Sequence, residues 1–177
     1  MKNTTIKKTI QTEIDSEFLQ RILLPYRENT SYLKKAFLEY DEEEQQHPIM
    51  KGNFSIPESC YIDDTGHFNA VEFNICFNQI GYTYLGHCVK EGLLPQLEGF
   101  AKNNCDVFFE KQLSHILIVN IHSTYRKPIN SDKFYGEIGI KNISKKANCT
   151  FIILSCKFSD DGVGKSFGEV TLAILNP

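Results

Sequence analysis

Four long segments in the second half of the chain constrain its fold more than any other feature. Residues 115–125, 133–143, 149–158 and 167–175 are rich in β-branched and aromatic side chains, and polar connections at 128–132, 144–148 and 159–162 separate them. Connections that short favour antiparallel neighbours. A chain of 177 residues with 41% hydrophobic content closes one sizeable core. Residues 1–13 are polar and read as a flexible N-terminal tail, leaving 14–177 as a single domain.

Ahead of these strands the period changes twice. Asp15 or Ser16 caps a helix carrying Phe18, Leu19, Ile22 and Leu23, which Pro25 breaks at Leu24. Asn29, Thr30 and Ser31 open a second short helix running through Tyr40, and the acidic run at 41–44 reads as a solvated loop. From Gly52 the spacing turns strand-like, through Phe54 and Ile56, then Tyr61 and Ile62. Val71, Phe73, Ile75 and Phe77 alternate with Glu72, Asn74, Cys76 and Asn78 as a further strand. Asn78 and Gln79 then open a helix over 78–91 that carries Ile80, Tyr84, Leu85 and Cys88 and closes at Gly92 and Pro95. It is apolar around much of its circumference and small at Gly81 and Gly86, so it is expected to be buried under a sheet. Early strands, one central helix and an antiparallel meander make an α+β protein, with a curled sheet wrapped around the helix and helices at the N-terminus. That is the hot-dog arrangement.

Composition narrows the function classes. A net charge of −3 and a pI near 6.0 lack the broad basic footprint of nucleic-acid binders. No apolar run approaches the roughly 18 to 20 residues of a membrane span. Six cysteines without a C-x-x-C pair, and no leader, point to reduced thiols in the cytoplasm. His87, His115 and His122 share no ligand spacing, so neither a metal nor a cofactor is expected. Lys141, Lys145 and Lys146 form a small basic stretch on a solvated hairpin, open to an acidic carrier protein.

The chemistry is concentrated in Tyr61-Ile62-Asp63-Asp64-Thr65-Gly66-His67-Phe68-Asn69-Ala70-Val71-Glu72, where acids, His, Asn and Tyr surround one Gly between apolar runs. A Gly-His-x-Asn turn can hold side chains and backbone N–H groups against a small polar ligand. Together with Ile56-Pro57-Glu58-Ser59-Cys60 before it and Cys76-Phe77-Asn78-Gln79 after it, this stretch resembles the FcoT-type hot-dog family. Leu24-Pro25-Tyr26 and Arg126-Lys127-Pro128-Ile129-Asn130 resemble it too. The resemblance therefore covers nearly all of the chain beyond the tail.

Members of that family act on acyl thioesters. The resemblance implies either addition of glycine to a (2E)-enoyl thioester on an acyl carrier protein, a carbon-nitrogen bond-forming lyase-type step of isonitrile lipopeptide and related pathways, or hydrolysis of a long-chain acyl-CoA or acyl-ACP. A non-catalytic acyl-binding protein is the third reading. The family's polar site falls on Tyr26, Tyr61, Asn69 and Asn78, and hot-dog analogy implies at least a homodimer.

Glycine addition sets three tasks. Negative charge on the thioester oxygen must be stabilised, for which the N-terminus of the 78–91 helix and Asn78 are expected. The amine must attack unprotonated, with Glu72 or His67 as base. The α-carbon must gain a proton, from Tyr61 or Tyr26, while Arg126 grips the glycine carboxylate. Gln79, beside Asn78, is expected to touch substrate. For hydrolysis, Asp63, Glu72 or His67 would activate water, and no Gly-x-Ser-x-Gly elbow is present. Bland roles stand beside these: His67 can simply shape the turn, Glu72 can face solvent or an ion pair, Asn78 can be a cap, and Cys60 a small core residue.

Overall fold

The computed structural model describes residues 9–41, 47–63 and 65–177. In chain order its elements are β1 (Thr9–Glu13), α1 (Ser16–Leu23), β2 (Leu33–Asp41), β3 (Ile49–Phe54), α2 (Ala70–Lys90), α3 (Asp106–His115), β4 (Ile116–Lys127), β5 (Phe134–Lys145), β6 (Cys149–Ser159) and β7 (Lys165–Leu175). Short 3₁₀ turns occupy Glu28–Thr30 and Pro95–Ala101. All seven strands form one antiparallel sheet in the order β1-β2-β3-β5-β6-β7-β4, curled around α2.

Helix α2 is central because its apolar residues leave no polar face wide enough for solvent. Phe73, Cys76, Phe77, Ile80, Tyr84, Leu85 and Cys88 are all buried at three- and four-residue spacing. The sheet answers with period two: Phe134 and Ile138 on β5, and Ile152, Leu154, Cys156 and Phe158 on β6, point inward. Phenyl rings fill the junction, Phe158 lying 5.6 Å from Phe54 and 5.2 Å from Phe73 between centroids, edge to face. The 78–91 segment is thus buried as expected, and the four late strands and α1 form where the sequence places them. Asp15 Oδ1 accepts from the Phe18 amide at 3.0 Å, and Pro25 follows the helix end.

The structure corrects the reading in five places. Residues 9–13 are not tail but an edge strand; Ile10 stays 42% exposed, so backbone pairing with β2 holds it rather than any buried pattern. The helix expected through Tyr40 is β2, its Leu33, Ala36 and Leu38 buried and its ladder shared with β3. Tyr61 and Ile62 lie in an exposed loop. Val71 to Phe77 are not strand: they are the first two turns of α2, because Asn69 and Glu72 close a reciprocal capping box nine residues before the expected start. Finally, the 128–132 connection does not join neighbours. It carries the chain from β4, at the sheet edge beside β7, to β5, which lies between β3 and β6. The sequence reading also had no element for α3. Of the acidic run at 41–44, all but Asp41 lies outside the described residues.

Candidate active site

The site is built on the turn that launches α2. Gly66 takes φ +71°, a left-handed conformation that costs a side-chain-bearing residue about 1 kcal/mol. The Thr65 hydroxyl donates to the His67 carbonyl at 3.0 Å, and His67 Nδ1 donates to the Thr65 carbonyl at 3.0 Å. This bond fixes the tautomer of a neutral His67: with the proton on Nδ1, Nε2 carries the lone pair. Phe68 then plunges into the core, its ring centroid 4.9 Å from that of Phe134 and 5.1 Å from that of Phe158. The turn is thereby pinned to the sheet.

Asn69 is the N-cap. Its Oδ1 accepts from the amides of Val71 at 2.9 Å and Glu72 at 3.3 Å, and from the Tyr61 hydroxyl at 2.8 Å. Glu72 Oε2 accepts from the Asn69 amide at 3.1 Å. Glu72 is 3% exposed, so it does not face solvent; it has no ion pair among the described residues and is held as half of the capping box. Asn69 Nδ2 is buried without a partner among the described residues. The amide of Ala70, an exposed residue, is reached by no capping side chain among the described residues, at the positive end of a 21-residue helix.

Opposite the turn runs the start of the crossover. His67 bridges to Asn130, and the Phe68 amide donates to the Ile129 carbonyl at 3.0 Å. Between the walls lies a groove of about 380 Å³ lined by His67, Phe68, Asn69 and Ala70 on one side and Tyr125, Arg126, Lys127, Pro128 and Ile129 on the other. Arg21, Lys35, Lys51, Lys133 and Lys141 each meet a carboxylate. Arg126 and Lys127 meet none among the described residues, which leaves two cations on an apolar groove beside a helix N-terminus. Such a place favours an anion or a developing oxyanion.

The expected site residues therefore divide. His67, Asn69 and Arg126 line the groove, Tyr61 touches Asn69, and Glu72 lies behind it. Asn78 does not open the helix. It is about 13 Å further along the axis at 1.5 Å per residue, half-buried, with its Nδ2 3.5 Å from Asn74 Oδ1. Gln79 is fully buried and spends its amide on the scaffold: Oε1 accepts from the Tyr32 and Leu33 amides at 2.9 Å each, and Nε2 donates to the Thr30 carbonyl at 2.6 Å. Tyr26 is away from the groove, in the field of Tyr82 and Cys76, and burial above all pushes its phenol well up. Cys60 is half-buried and free.

Sequence reasoning missed Lys127, Tyr125 and Ile129 as groove residues. The quoted Arg-Lys-Pro-Ile-Asn stretch contained most of them, and the signal was there to use. It also missed Tyr32, whose buried phenol sits beside Cys60 and Glu72 and is pushed upward by burial and then by the Cys60 thiol.

Fold and site together define a hot-dog protein with its polar chemistry at the mouth of the central helix. Among solved structures, a thioesterase from Haemophilus influenzae superposes with a TM-score of 0.50 at 12% identity, covering 86% of each chain. A virulence protein from Campylobacter jejuni gives 0.50 at 9% identity, over 92% of this chain and 94% of its own. Similarity at this level concerns the fold alone. The sequence model of the FcoT-like thioesterase domain matches residues 21–174, and the chain belongs to that family. Relatives named (2E)-enoyl-ACP glycyltransferase include one from Streptomyces coeruleorubidus, 37% identical over 92% of this chain and 98% of its own. Another, from Mycobacterium marinum, is 36% identical over 93% and 89%.

Proposed function

We propose that the protein adds glycine to the double bond of a (2E)-enoyl thioester carried on an acyl carrier protein, giving a β-(carboxymethylamino)acyl thioester. The observation that carries this reading is the meeting, in one groove, of a helix N–H and two cations, none of which has a side-chain partner among the described residues, with a histidine whose Nε2 lone pair is set by its neighbour. The glycyltransferase names of the relatives support the same reading.

The Ala70 N–H and the α2 dipole polarise the thioester carbonyl, a role that moves nine residues upstream of the expected Asn78. Arg126, with Lys127 beside it, holds the glycine carboxylate. His67 Nε2 takes the proton of the glycine ammonium. The nitrogen then bonds to C3, the C2=C3 π pair moves to C2 and the carbonyl as an enolate, and C2 regains a proton from His67. One N–H hydrogen thus ends on C2, and no other reagent is consumed. Glu72 supports this chemistry from behind as the cap partner. Tyr61 orients Asn69, and Asn78 and Tyr26 contact the thioester arm further along α2.

The protein acts as a homodimer in the cytoplasm, paired along β4. That strand presents a 12-residue sheet edge with Leu117, Val119, Ile121 and Tyr125 exposed, whereas the opposite edge strand, β1, has 5 residues. The product class, a glycine joined through nitrogen to an acyl chain, suits isonitrile formation.

Incubation with a (2E)-enoyl thioester on its carrier protein, with and without glycine, tests the reading by adduct mass and free thiol. A glycine adduct without thiol release is expected. Thiol release without adduct would instead favour hydrolysis, the reading suggested by the thioesterase description of the family.

A further inference from the structure

The groove's second wall is not held by the groove alone. Residues 128–132 cross the sheet without pairing as a strand, yet Ile129 and Ser131 are 2% and 3% exposed. Beside the His67–Asn130 bridge, three hydrogen bonds among the described residues help to fix them. The turn side supplies the Phe68 amide to the Ile129 carbonyl, and the Ile56 amide donates to the Ser131 carbonyl at 2.8 Å. The third comes from the β6–β7 hairpin, 30 residues away: Asp160 Oδ2 accepts from the Asn130 amide at 2.9 Å.

Asp160 is itself rigid. Its Oδ1 accepts from the amides of Gly162 at 2.9 Å and Gly164 at 3.0 Å, so one oxygen organises the hairpin and the other reaches the crossover. These N–H donors, Asn130 first, hold its carboxyl below the ordinary aspartate range. The hairpin also touches the wall directly. A Cβ on Gly164 would stand 2.5 Å from the Pro128 carbonyl oxygen and 2.7 Å from the Ile129 Cα, an approach only glycine permits.

We propose that Asp160, which lies outside the groove, is a positioning residue that sets the distance between its Arg126–Ile129 wall and its His67–Ala70 wall, and so the affinity for the thioester substrate. The inference rests on the groove being the substrate site.

Asp160→Asn separates the two oxygens. An asparagine keeps an acceptor for Gly162 and Gly164 but turns an NH₂ toward the Asn130 amide, so the hairpin survives and the tie to the crossover is lost. KM for the enoyl thioester is expected to rise about tenfold, the worth of one charge-assisted hydrogen bond, with kcat within about twofold. Hydrogen exchange should quicken over 67–70 and 126–131 and nowhere else. Gly164→Ala should raise KM in the same way, while Asp161→Asn, which touches the exposed Lys133 pair and the Tyr135 hydroxyl but not the crossover, should leave both constants unchanged. Wild-type KM in Asp160→Asn, or a fall in melting temperature with KM unmoved, overturns the proposal. If the wild-type protein forms no adduct, the functional reading fails instead, and exchange in Asp160→Asn still decides the positioning role of Asp160: rates unchanged at 67–70 and 126–131 refute it.

Discussion

Asn69 and Asn78 stand on the same helix, nine residues apart, and do opposite kinds of work. Asn69 Oδ1 serves three donors at the helix mouth, so the residue that shapes the site also holds α2 together. Among the described residues Asn78 makes one long hydrogen bond, to Asn74 within its own helix. Its neighbour Gln79 reverses the pattern again, with every polar atom tied to backbone 46 to 49 residues away. The difference teaches that a polar side chain in a motif carries chemistry, scaffold or both according to its unspent hydrogen-bonding capacity. Residue type does not separate these cases.

Mutations can break that comparison. The largest loss of stability is expected for Gln79→Leu, about 3 kcal/mol, because the Tyr32 and Leu33 amides and the Thr30 carbonyl would be left unpaired in or near the core. Urea unfolding measures it; a loss below about 1 kcal/mol would free Gln79 for substrate after all. Asn69→Ala should cost about 1 to 2 kcal/mol as a lost cap and reduce turnover more than tenfold. Asn69→Asp, which can still accept from all three donors, should recover most of the stability. Gly81→Ala should stabilise by up to about 1 kcal/mol, since a Cβ there meets nothing nearer than 3.8 Å and alanine is the better helix former. The same change at Gly86 puts a methyl 2.8 Å from the Phe108 ring and should destabilise, so equal melting temperatures for the two variants would contradict the packing. The smallest stability effect belongs to Asn78→Ala, within about 0.5 kcal/mol, with turnover down about tenfold. Unchanged turnover would show that the thioester does not reach the middle of α2.

What was legible followed from local physics. Strands β4 to β7 were readable because alternation and short polar turns lie within a few residues of each other, and α1 because Asp15 and Pro25 bracket it. The start of α2 was misread because Val71, Phe73, Ile75 and Phe77 alternate while Phe73, Cys76, Phe77 and Ile80 also satisfy a helical stripe. The arbiter was present in the sequence: Asn69 with Glu72 three residues later is a capping pair. For β2 no such arbiter exists. Lys34 to Leu38 suit helix and strand alike, and pairing with β1 and β3 chose strand.

By itself, then, the sequence determined the late strands, the burial of the central helix, and the family motif with His67, Asn69 and Arg126 in it. Those properties depend on periodicity and short-range hydrogen bonding. Only the tertiary structure decided that Arg126 faces His67 across a groove, that Gln79 is scaffold, and that Asp160 ties down the far wall. Each of these joins residues 30 or more positions apart, and such contacts follow from strand order. β4 pairs with β7 at the sheet edge, which forces the crossover past the helix mouth, and no local pattern encodes that choice.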